Sequence, residues 1–481
     1  MMRLLRHIGW LHACDDAGTV LDDAWIAVEG ARIVALGREP CPIPAERVAE
    51  SHDLSGCIVV PGLINLHHHF FQTLTRAVPA TVRARPLDWL FGMYPLWAEL
   101  DEEAHRWATL AAGAELLLTG ATTSVDHSYL HPGDGDALLA AQAEAAAELG
   151  LRLHVVRGSM PTLEGDLARR LRPLLGDRMD RLLDPEDEIV PQLERAARRW
   201  HDDADGAMLR IGFGPTGVTY EKPALMRAVA DRAAAFGCGL HTHLHPRPDE
   251  REKAERLLGT DPISFLDASG WLRPGTWFAH GSQLRPDEIR RLAEAGCGVA
   301  HCPRTIVRLG FPLTPIPAFR KAGLAVGVGV DGAASNDSGS MLGDLRLALL
   351  LHRVGTAADA DTEKDWMRPA DALAMATRNA AAILGRDDIG RIEPGKMADI
   401  AAFDLTGVAY AGAVTDPLGG LLMAGSDARA SFVMCHGSVR VAGGRLVGMD
   451  ERRVAAGTNA AARRMVAQAT ARTGLRFADA Q

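Results

Sequence analysis

The chain has 481 residues, of which 47% are hydrophobic, and its formal net charge is -9 at pH 7. This length suits two or three domains, or one barrel with a smaller domain attached. The acidic balance, with no basic cluster to offset it, argues against a nucleic-acid polymer as partner.

The cysteines and the apolar runs indicate the cellular compartment. The seven cysteines form no CxxC pair, which argues against a disulfide framework and against a structural zinc knuckle. The basic N-terminus is not followed by the apolar run of a signal peptide. No stretch approaches the roughly 18 apolar residues of a membrane helix. We therefore expect a cytoplasmic protein without a membrane partner.

Short β-like runs occur near both ends of the chain. One set lies in 1–58, for example at 24–28, and the other lies in 394–450, for example at 398–403. Runs of this kind, broken by Gly, Asp and Pro, predict strands. Neither set makes a sheet alone, so we expect one small β-sandwich domain built from both. Residues 451–481 are predicted to form a C-terminal helix and tail.

Between these ends, apolar runs of strand length alternate with helical patterns. The eight runs are 59–66, 121–125, 151–156, 209–213, 239–243, 276–279, 298–302 and 325–330. This alternation is typical of a (β/α)₈ barrel and also of a doubly wound open sheet. Polar residues end nearly every run, and barrel active sites are assembled from that rim. We therefore predict an α/β fold with a TIM-like barrel over 59–393.

Three consecutive histidines follow the first run. Side chains alternate along a strand, so His67 and His69 point to one side and His68 to the other. Two imidazoles at this spacing can bind a single ion at about 2.0–2.1 Å per Zn–N bond. The alternative is a histidine-rich strand end that binds nothing.

The fifth, sixth and eighth runs end in further candidate ligands. His241, His243 and His245 share one face, so alternation does not decide which of them binds a metal. His280 ends the sixth run, and Asp331 ends the eighth. An aspartate that closes an apolar strand is costly to bury unpaired, and a cation would offset that cost. A helix N-cap is the alternative role for Asp331.

The order and spacing of these residues resemble the amidohydrolase superfamily, in its branch of cytosine deaminases, 8-oxoguanine deaminases and s-triazine hydrolases. The residues that carry the resemblance are His67-x-His69, His243, His280 and Asp331, with the tail segment 390–400. Stretches that resemble 8-oxoguanine deaminases are 67–77, 88–90, 157–160, 301–303 and 331–337. Stretches that resemble s-triazine hydrolases are 214–218 and 342–346.

The resemblance implies one Zn²⁺ or Fe²⁺ per chain, with these ligands: His67, His69, His243 and Asp331. It places His280 beside the metal-bound water, whose pKa a divalent ion lowers from 15.7 towards about 7. Asp331 can then accept the water's proton, and His280 can stabilise the charge that develops on attack. Binuclear relatives use a modified lysine on the fourth strand, and the run 209–213 contains none. We therefore expect a single metal ion.

One position departs from the pattern of this branch. The glutamate that usually follows the fifth-strand ligand by three residues, and that shuttles a proton, is replaced by Pro246. Proline has no proton to give. We hypothesise that His245 takes over as a catalytic residue, because it shares a face with His243. Asp249 and Glu250 are the alternatives.

The substrate-binding candidates lie in the segments that follow the strands. The resemblance implies that Gln72 recognises a carbonyl or amide group of the substrate ring through its side-chain amide. Trp89, Tyr94 and Trp97 lie in the long segment after the first strand and are candidates to stack on a planar ring, with a packed hydrophobic loop as the alternative. Arg304 is a candidate to bind an anionic or carbonyl-rich substrate, with a surface salt bridge as the alternative.

These observations predict a metal-dependent aminohydrolase that acts on C–N bonds of cyclic amidines and releases ammonia. The expected substrate is a small nitrogen heterocycle, with an 8-oxoguanine-like purine as first choice. An s-triazine hydrolase that removes an amino, alkylamino or halide substituent is the alternative. A non-catalytic protein with the amidohydrolase fold is the alternative from another class. By analogy we expect a homo-oligomer, in the form of a dimer.

Overall fold

The structure is a computed structural model that describes residues 2–163, 165–244, 249–356, 363–425 and 428–478. Its strands are β1 (Met2–His12), β2 (Val20–Glu29), β3 (Arg32–Arg38), β4 (Val48–Asp53), β5 (Cys57–Pro61), β6 (Leu63–Asn65), β7 (His68–His69), β8 (Ala121–Ser128), β9 (Arg152–Ser159), β10 (Leu209–Pro215), β11 (Gly239–Leu244), β12 (Thr276–His280), β13 (Gly298–His301), β14 (Ala325–Val328), β15 (Asp331–Gly332), β16 (Ile400–Asp404), β17 (Phe432–Cys435), β18 (Ser438–Ala442) and β19 (Arg445–Leu446). Its α-helices are α1 (Pro86–Trp97), α2 (Glu102–Leu118), α3 (Gly135–Leu149), α4 (Gly165–Leu175), α5 (Asp177–Leu182), α6 (Glu186–Trp200), α7 (Pro223–Phe236), α8 (Asp249–Leu258), α9 (Pro262–Ala268), α10 (Pro286–Glu294), α11 (Pro303–Leu309), α12 (Ile316–Lys321), α13 (Met341–Leu351), α14 (Pro369–Met375), α15 (Arg378–Ile383), α16 (Pro417–Met423) and α17 (Glu451–Thr473).

Eight parallel strands form the barrel that the sequence predicts. They pair in the order β6-β8-β9-β10-β11-β12-β13-β14, and the first and last strands meet where the Leu66 amide donates to the Val328 carbonyl at 3.0 Å. The strands are almost entirely buried, as is usual where helices cover a parallel sheet. The barrel prediction is therefore confirmed, and the doubly wound alternative is wrong. None of the helices in the described part of the chain is long and apolar enough to span a bilayer.

A second sheet combines strands from both ends of the chain. Its order is β19-β18-β17-β16-β5-β1-β2-β3, and β4 pairs with β1. The predicted run 59–66 is divided between the two sheets, because β5 pairs with β16 while β6 enters the barrel. Gly62 lies at this division, and a Cβ there would overlap the side chain of Thr122. The domain limits at 58, 393 and 450 stay predictions.

A buried ion pair joins the barrel to the second sheet. Arg152 of β9 donates to the carboxylate of Asp399, which directly precedes β16, and both side chains are almost inaccessible. The other Asp399 oxygen accepts from the His436 amide at 2.7 Å. Because an unpaired charge is costly to bury, this carboxylate depends on its partners.

Replacing Arg152 with alanine tests this connection. Arg152→Ala leaves the Asp399 carboxylate buried without its cation, so we expect a loss of about 3–5 kcal/mol in the free energy of unfolding. The control Lys222→Ala removes an exposed pair with Glu186 and should cost about 0–1 kcal/mol. Urea unfolding measures both variants, and equal losses would show that the buried pair has no special role.

Candidate metal centre and active-site cavity

Four side chains converge at the C-terminal rim of the barrel. The Asp331 Oδ1 atom lies 3.4 Å from His67 Nε2 and 3.3 Å from His69 Nε2. His69 Nε2 lies 3.1 Å from His243 Nε2. Around a tetrahedral cation with bonds of about 2.0–2.1 Å, neighbouring ligand atoms are about 3.3–3.4 Å apart. These separations therefore fit one cation among the four predicted ligands.

Backbone carbonyls fix the tautomers of two of these imidazoles. His69 Nδ1 lies 2.8 Å from the His127 carbonyl, and His243 Nδ1 lies 2.5 Å from the Thr216 carbonyl. A carbonyl only accepts hydrogen bonds, so each Nδ1 carries a hydrogen, and in the neutral form of each ring Nε2 presents a lone pair. The two lone pairs face one another at 3.1 Å. A cation between them removes this repulsion.

His241 orients the third imidazole. Its Nδ1 donates to the Trp277 carbonyl at 2.8 Å, and its Nε2 accepts from His67 Nδ1 at 2.7 Å. His67 Nε2 is then a lone pair that is buried without a hydrogen-bond partner. Such partners orient metal ligands and strengthen their binding. The geometry therefore gives His243 the position of a ligand and gives His241 a positioning role, a distinction that strand alternation left open.

Burial and hydrogen bonding set the charge of this group of side chains. Burial lowers the pKa of His67 and of His243 well below the ordinary value, so both imidazoles are neutral. Burial alone would raise the pKa of Asp331, but its close contacts with His67 and His69 outweigh burial and hold that pKa well below its ordinary value. Neutral imidazoles and an ionised carboxylate are the forms in which these groups bind metals.

His280 lies beside the ligands. Its Nε2 is 3.8 Å from Asp331 Oδ2, and its ring stacks on that of His243 with centroids 5.5 Å apart. His280 and Asp331 have φ of 76° and 61°, a left-handed conformation that is uncommon outside glycine and that recurs at functional sites. This bend, at the end of β12 and the start of β15, accompanies the convergence of the two side chains.

A cavity of about 840 Å³, including space open to solvent, adjoins the convergent side chains. The residues that line it are His69, Gln72, Trp89, Leu90, Tyr94, Tyr129, Thr216, Gly217, Val218, Thr219, Tyr220, His243, Glu250, Ala254, His280, Thr305, Leu309, Phe311, Asp331 and Ser335. Its size and largely aromatic wall suit a small organic ligand. Trp89 is fixed there by a hydrogen bond of 3.0 Å from its Nε1 to the Ala334 carbonyl.

Three of the five predicted substrate-binding residues, Gln72, Trp89 and Tyr94, line this cavity. Trp97 does not: it is fully buried behind the wall, and its Nε1 donates to Thr75 Oγ1 at 3.0 Å. Arg304 is also absent from the lining, because its guanidinium turns towards the buried carboxylate of Asp344, with Nε 3.8 Å from Oδ2. For Trp97 and Arg304 the structure thus matches the packed-core and ion-pair alternatives.

The proposed proton shuttle lies outside the described residues. His245 and Pro246 both fall in the gap between 244 and 249. Glu250, at the start of α8, does line the cavity. His127 was not among the predicted ligands, yet one of its ring nitrogens lies within 4.8 Å of the ligand atoms of His67, His69 and His243.

The chain belongs to the amidohydrolase family, whose sequence profile matches residues 58–441. The chain is 40% identical over 445 residues to the 8-oxoguanine deaminase of Pseudomonas aeruginosa, and the match covers 92% of this chain and 95% of that protein. It is 33% identical over 463 residues to the hydroxydechloroatrazine ethylaminohydrolase of Pseudomonas sp. (strain ADP), covering 94% and 93% of the two chains. Atrazine chlorohydrolase TrzN from Arthrobacter aurescens TC1, solved with zinc, superposes with a TM-score of 0.88 at 36% identity, over 96% of this chain and all of the other. The predicted family is therefore confirmed.

Adjacent histidines allow a matched test of the metal centre. His69→Ala removes an inward imidazole and should weaken metal affinity by more than the roughly 10–100-fold typical of losing an outer-shell partner. His68→Ala is the control, because its ring lies on the other side and its Nδ1 accepts from the His69 amide at 2.8 Å. Metal analysis after dialysis should show loss in the first variant only.

The orienting role of His241 is tested in the same way. His241→Phe preserves an aromatic ring against Trp277 but removes the acceptor for His67 Nδ1. Metal affinity, measured by competition with a chelator, should fall by about 10–100-fold. Complete loss of binding would instead indicate that His241 is itself a ligand.

Proposed function

We propose that this protein is a metal-dependent aminohydrolase that removes an amino group from an 8-oxoguanine-like purine and releases ammonia. The observation that carries the proposal is the convergence of His67, His69, His243 and Asp331 at cation-binding separations, on the rim of a cavity of suitable size. The 40% identity to an 8-oxoguanine deaminase over nearly the whole chain supports the substrate class.

We propose one divalent ion per chain, Zn²⁺ in preference to Fe²⁺. Three imidazoles and a carboxylate form a donor set that zinc accepts, and a water molecule would be a fifth ligand. A solved relative contains zinc. The fourth barrel strand, β10, contains no lysine that could bridge a second ion. When bound, the ion would supply a water molecule of lowered pKa.

The reaction adds water to the ring carbon that carries the amine. Asp331 accepts the proton of the attacking water, and the Nε2 of His280 lies 3.8 Å from Asp331 Oδ2, beside the same reacting atoms. His280 also stabilises the negative charge that develops on the adding oxygen. The exocyclic nitrogen then gains a proton and leaves as ammonia, and a ring carbonyl remains.

Residues of the cavity wall can recognise a flat heterocycle. Trp89, Tyr94 and Tyr129 present aromatic surface, on which a planar ring can pack. The Oε1 atom of Gln72 is buried without a hydrogen-bond partner. An unpaired acceptor of this kind favours a substrate that offers a ring N–H donor, because leaving the buried oxygen unsatisfied is costly. Gln72 is therefore our candidate for the residue that forms hydrogen bonds with the edge of the substrate ring.

An s-triazine hydrolase is the second candidate function. It is favoured by the superposition on atrazine chlorohydrolase TrzN at 36% identity and by the 33% identity to an ethylaminohydrolase of a triazine. The presence of Asp331 next to His280 favours the first candidate, because an aspartate at that position serves ordinary deamination. We also propose a homodimer, by analogy alone.

A substrate panel separates these functions. We expect ammonia release from 8-oxoguanine with a kcat/KM above those for guanine, isocytosine and aminotriazines. Higher activity on an aminotriazine would support the second candidate. No hydrolysis of any compound by a zinc-loaded chain would contradict both and favour a non-catalytic protein.

The proton shuttle is tested by two variants. We expect His245→Ala to lower kcat by roughly 10²–10⁴-fold, the usual range for a lost general acid–base group, with bound metal unchanged. Glu250→Gln is the comparison, since Glu250 lines the cavity. Full activity in His245→Ala together with a large loss in Glu250→Gln would transfer the role to Glu250.

A further inference from the structure

A second cavity opens at the opposite, N-terminal end of the barrel. It measures about 870 Å³ including space open to solvent. Its lining includes the first residue of β11, Gly239, the second residue of β10, Arg210, and the third residue of β9, His154. These positions lie at the starts of the strands, whereas His69, His243 and Asp331 lie at or after strand ends. The cavity is therefore separate from the active site.

Four groups with donor nitrogens line this cavity: His154, His201, Arg210 and Arg273. The lining contains no aspartate or glutamate among the described residues. No carboxylate of the described chain lies within 4.0 Å of either guanidinium, whereas most of the buried arginines elsewhere are paired. Basic walls of this kind carry an electrostatic cost, because like charges repel when they are partly removed from water.

The two arginines use few of their hydrogen-bond donors within the protein. Arg210 Nη2 donates to the Asp203 carbonyl at 3.0 Å, and Arg273 Nη2 donates to the Ala230 carbonyl at 3.2 Å. A guanidinium has five N–H groups in a planar fork that matches an oxyanion. The Arg210 Nε is buried without any partner. Burial lowers the pKa of Arg210 and of Arg273, which shows that the uncompensated charge carries a cost.

The two histidines have their tautomers set so that each offers a further N–H. His201 Nδ1 accepts from the Ile211 amide at 3.0 Å, so its hydrogen lies on Nε2, which has no partner. His154 Nε2 faces the Nη1 of Arg386 at 3.5 Å and accepts from it, so its hydrogen lies on Nδ1. Four side chains that carry donor nitrogens and no carboxylate oxygen therefore line the same space.

The nearest carboxylates do not neutralise this space. Asp202, Asp203 and Asp231 are exposed. The first two raise the pKa of Arg210 and the third raises the pKa of Arg273, but burial has the larger effect on both arginines. Asp388 is already engaged by Arg386, through Nε at 2.6 Å and Nη2 at 2.5 Å. An anion from solution would supply what these groups lack.

We propose that this cavity at the N-terminal end of the barrel binds a small tetrahedral oxyanion, of the chemical class of phosphate, between Arg210 and Arg273. The occupant is a free anion or the phosphate group of a small metabolite, and the site is distinct from the catalytic cavity. Trp277 also lines the cavity, and its ring stacks on His241 with centroids 4.7 Å apart. Trp277 would therefore lie between the bound anion and His241, which is the hydrogen-bond partner of His67.

The test is calorimetric titration of the zinc-loaded protein with inorganic phosphate at constant ionic strength, with chloride as the balancing salt. We expect saturable binding of one phosphate. In the double variant Arg210→Gln/Arg273→Gln the phosphate affinity should fall at least about tenfold, because two charge-assisted hydrogen bonds are lost. Arg227→Gln is the matched control, since Arg227 is an exposed arginine of α7 that donates to the Ala268 carbonyl and lies outside the cavity.

Three results would overturn the proposal. They are absence of saturable phosphate binding to the wild-type chain, equal binding in the double variant, and equal weakening in Arg227→Gln. Equal binding in the double variant would place the phosphate at the metal instead. If the double variant does not fold, the single variants and the wild-type titration decide. Titration with adenosine monophosphate at the same concentrations distinguishes the two sources, because a site for free phosphate alone binds it more weakly.

Discussion

The mutual repulsion of unprotonated ligand atoms is the constraint on which this site depends. The Nε2 atoms of His69 and His243 face one another at 3.1 Å, and the carboxylate of Asp331 lies 3.3 Å from the first of them. No hydrogen is available between the two imidazoles, because carbonyl groups hold the hydrogens on the far side of both rings. The protein keeps these groups together through rigid backbone partners, and a cation turns their repulsion into attraction.

The barrel provides that rigidity by closing on itself. The short strands β7 and β15 pair in parallel and place Asp331 opposite His68 in register, which brings the first and last strands of the barrel to one point. His241 adds a second connection between strands, because it links His67 by hydrogen bonds to the Trp277 carbonyl on the neighbouring strand β12. Each of the three imidazoles is therefore held by a residue from another part of the barrel. This arrangement prepares the site before the metal binds, which reduces the ordering that binding must achieve.

Much of the fold and of the metal centre was predictable from the sequence, because both follow from local periodicity. Apolar runs with polar ends located the strands and the rim. Alternation could not choose between His241 and His243, since the choice depends on the Trp277 carbonyl, a partner distant in the sequence. Trp97 and Arg304 were predicted to bind substrate, and the pattern could not show that Thr75 and Asp344 already engage them. The cavity at the N-terminal end gave no sequence signal, because its basic residues come from separate elements.

Binding of one cation by three imidazoles and one carboxylate underlies the proposed chemistry. Crystallographic anomalous scattering at the zinc absorption edge, on protein purified with its metal, locates such an ion. We expect a single peak about 2.0–2.2 Å from the Nε2 atoms of His67, His69 and His243 and from a carboxylate oxygen of Asp331. A peak bound instead by His127 or His241, or the absence of any peak between these four side chains, would contradict this expectation.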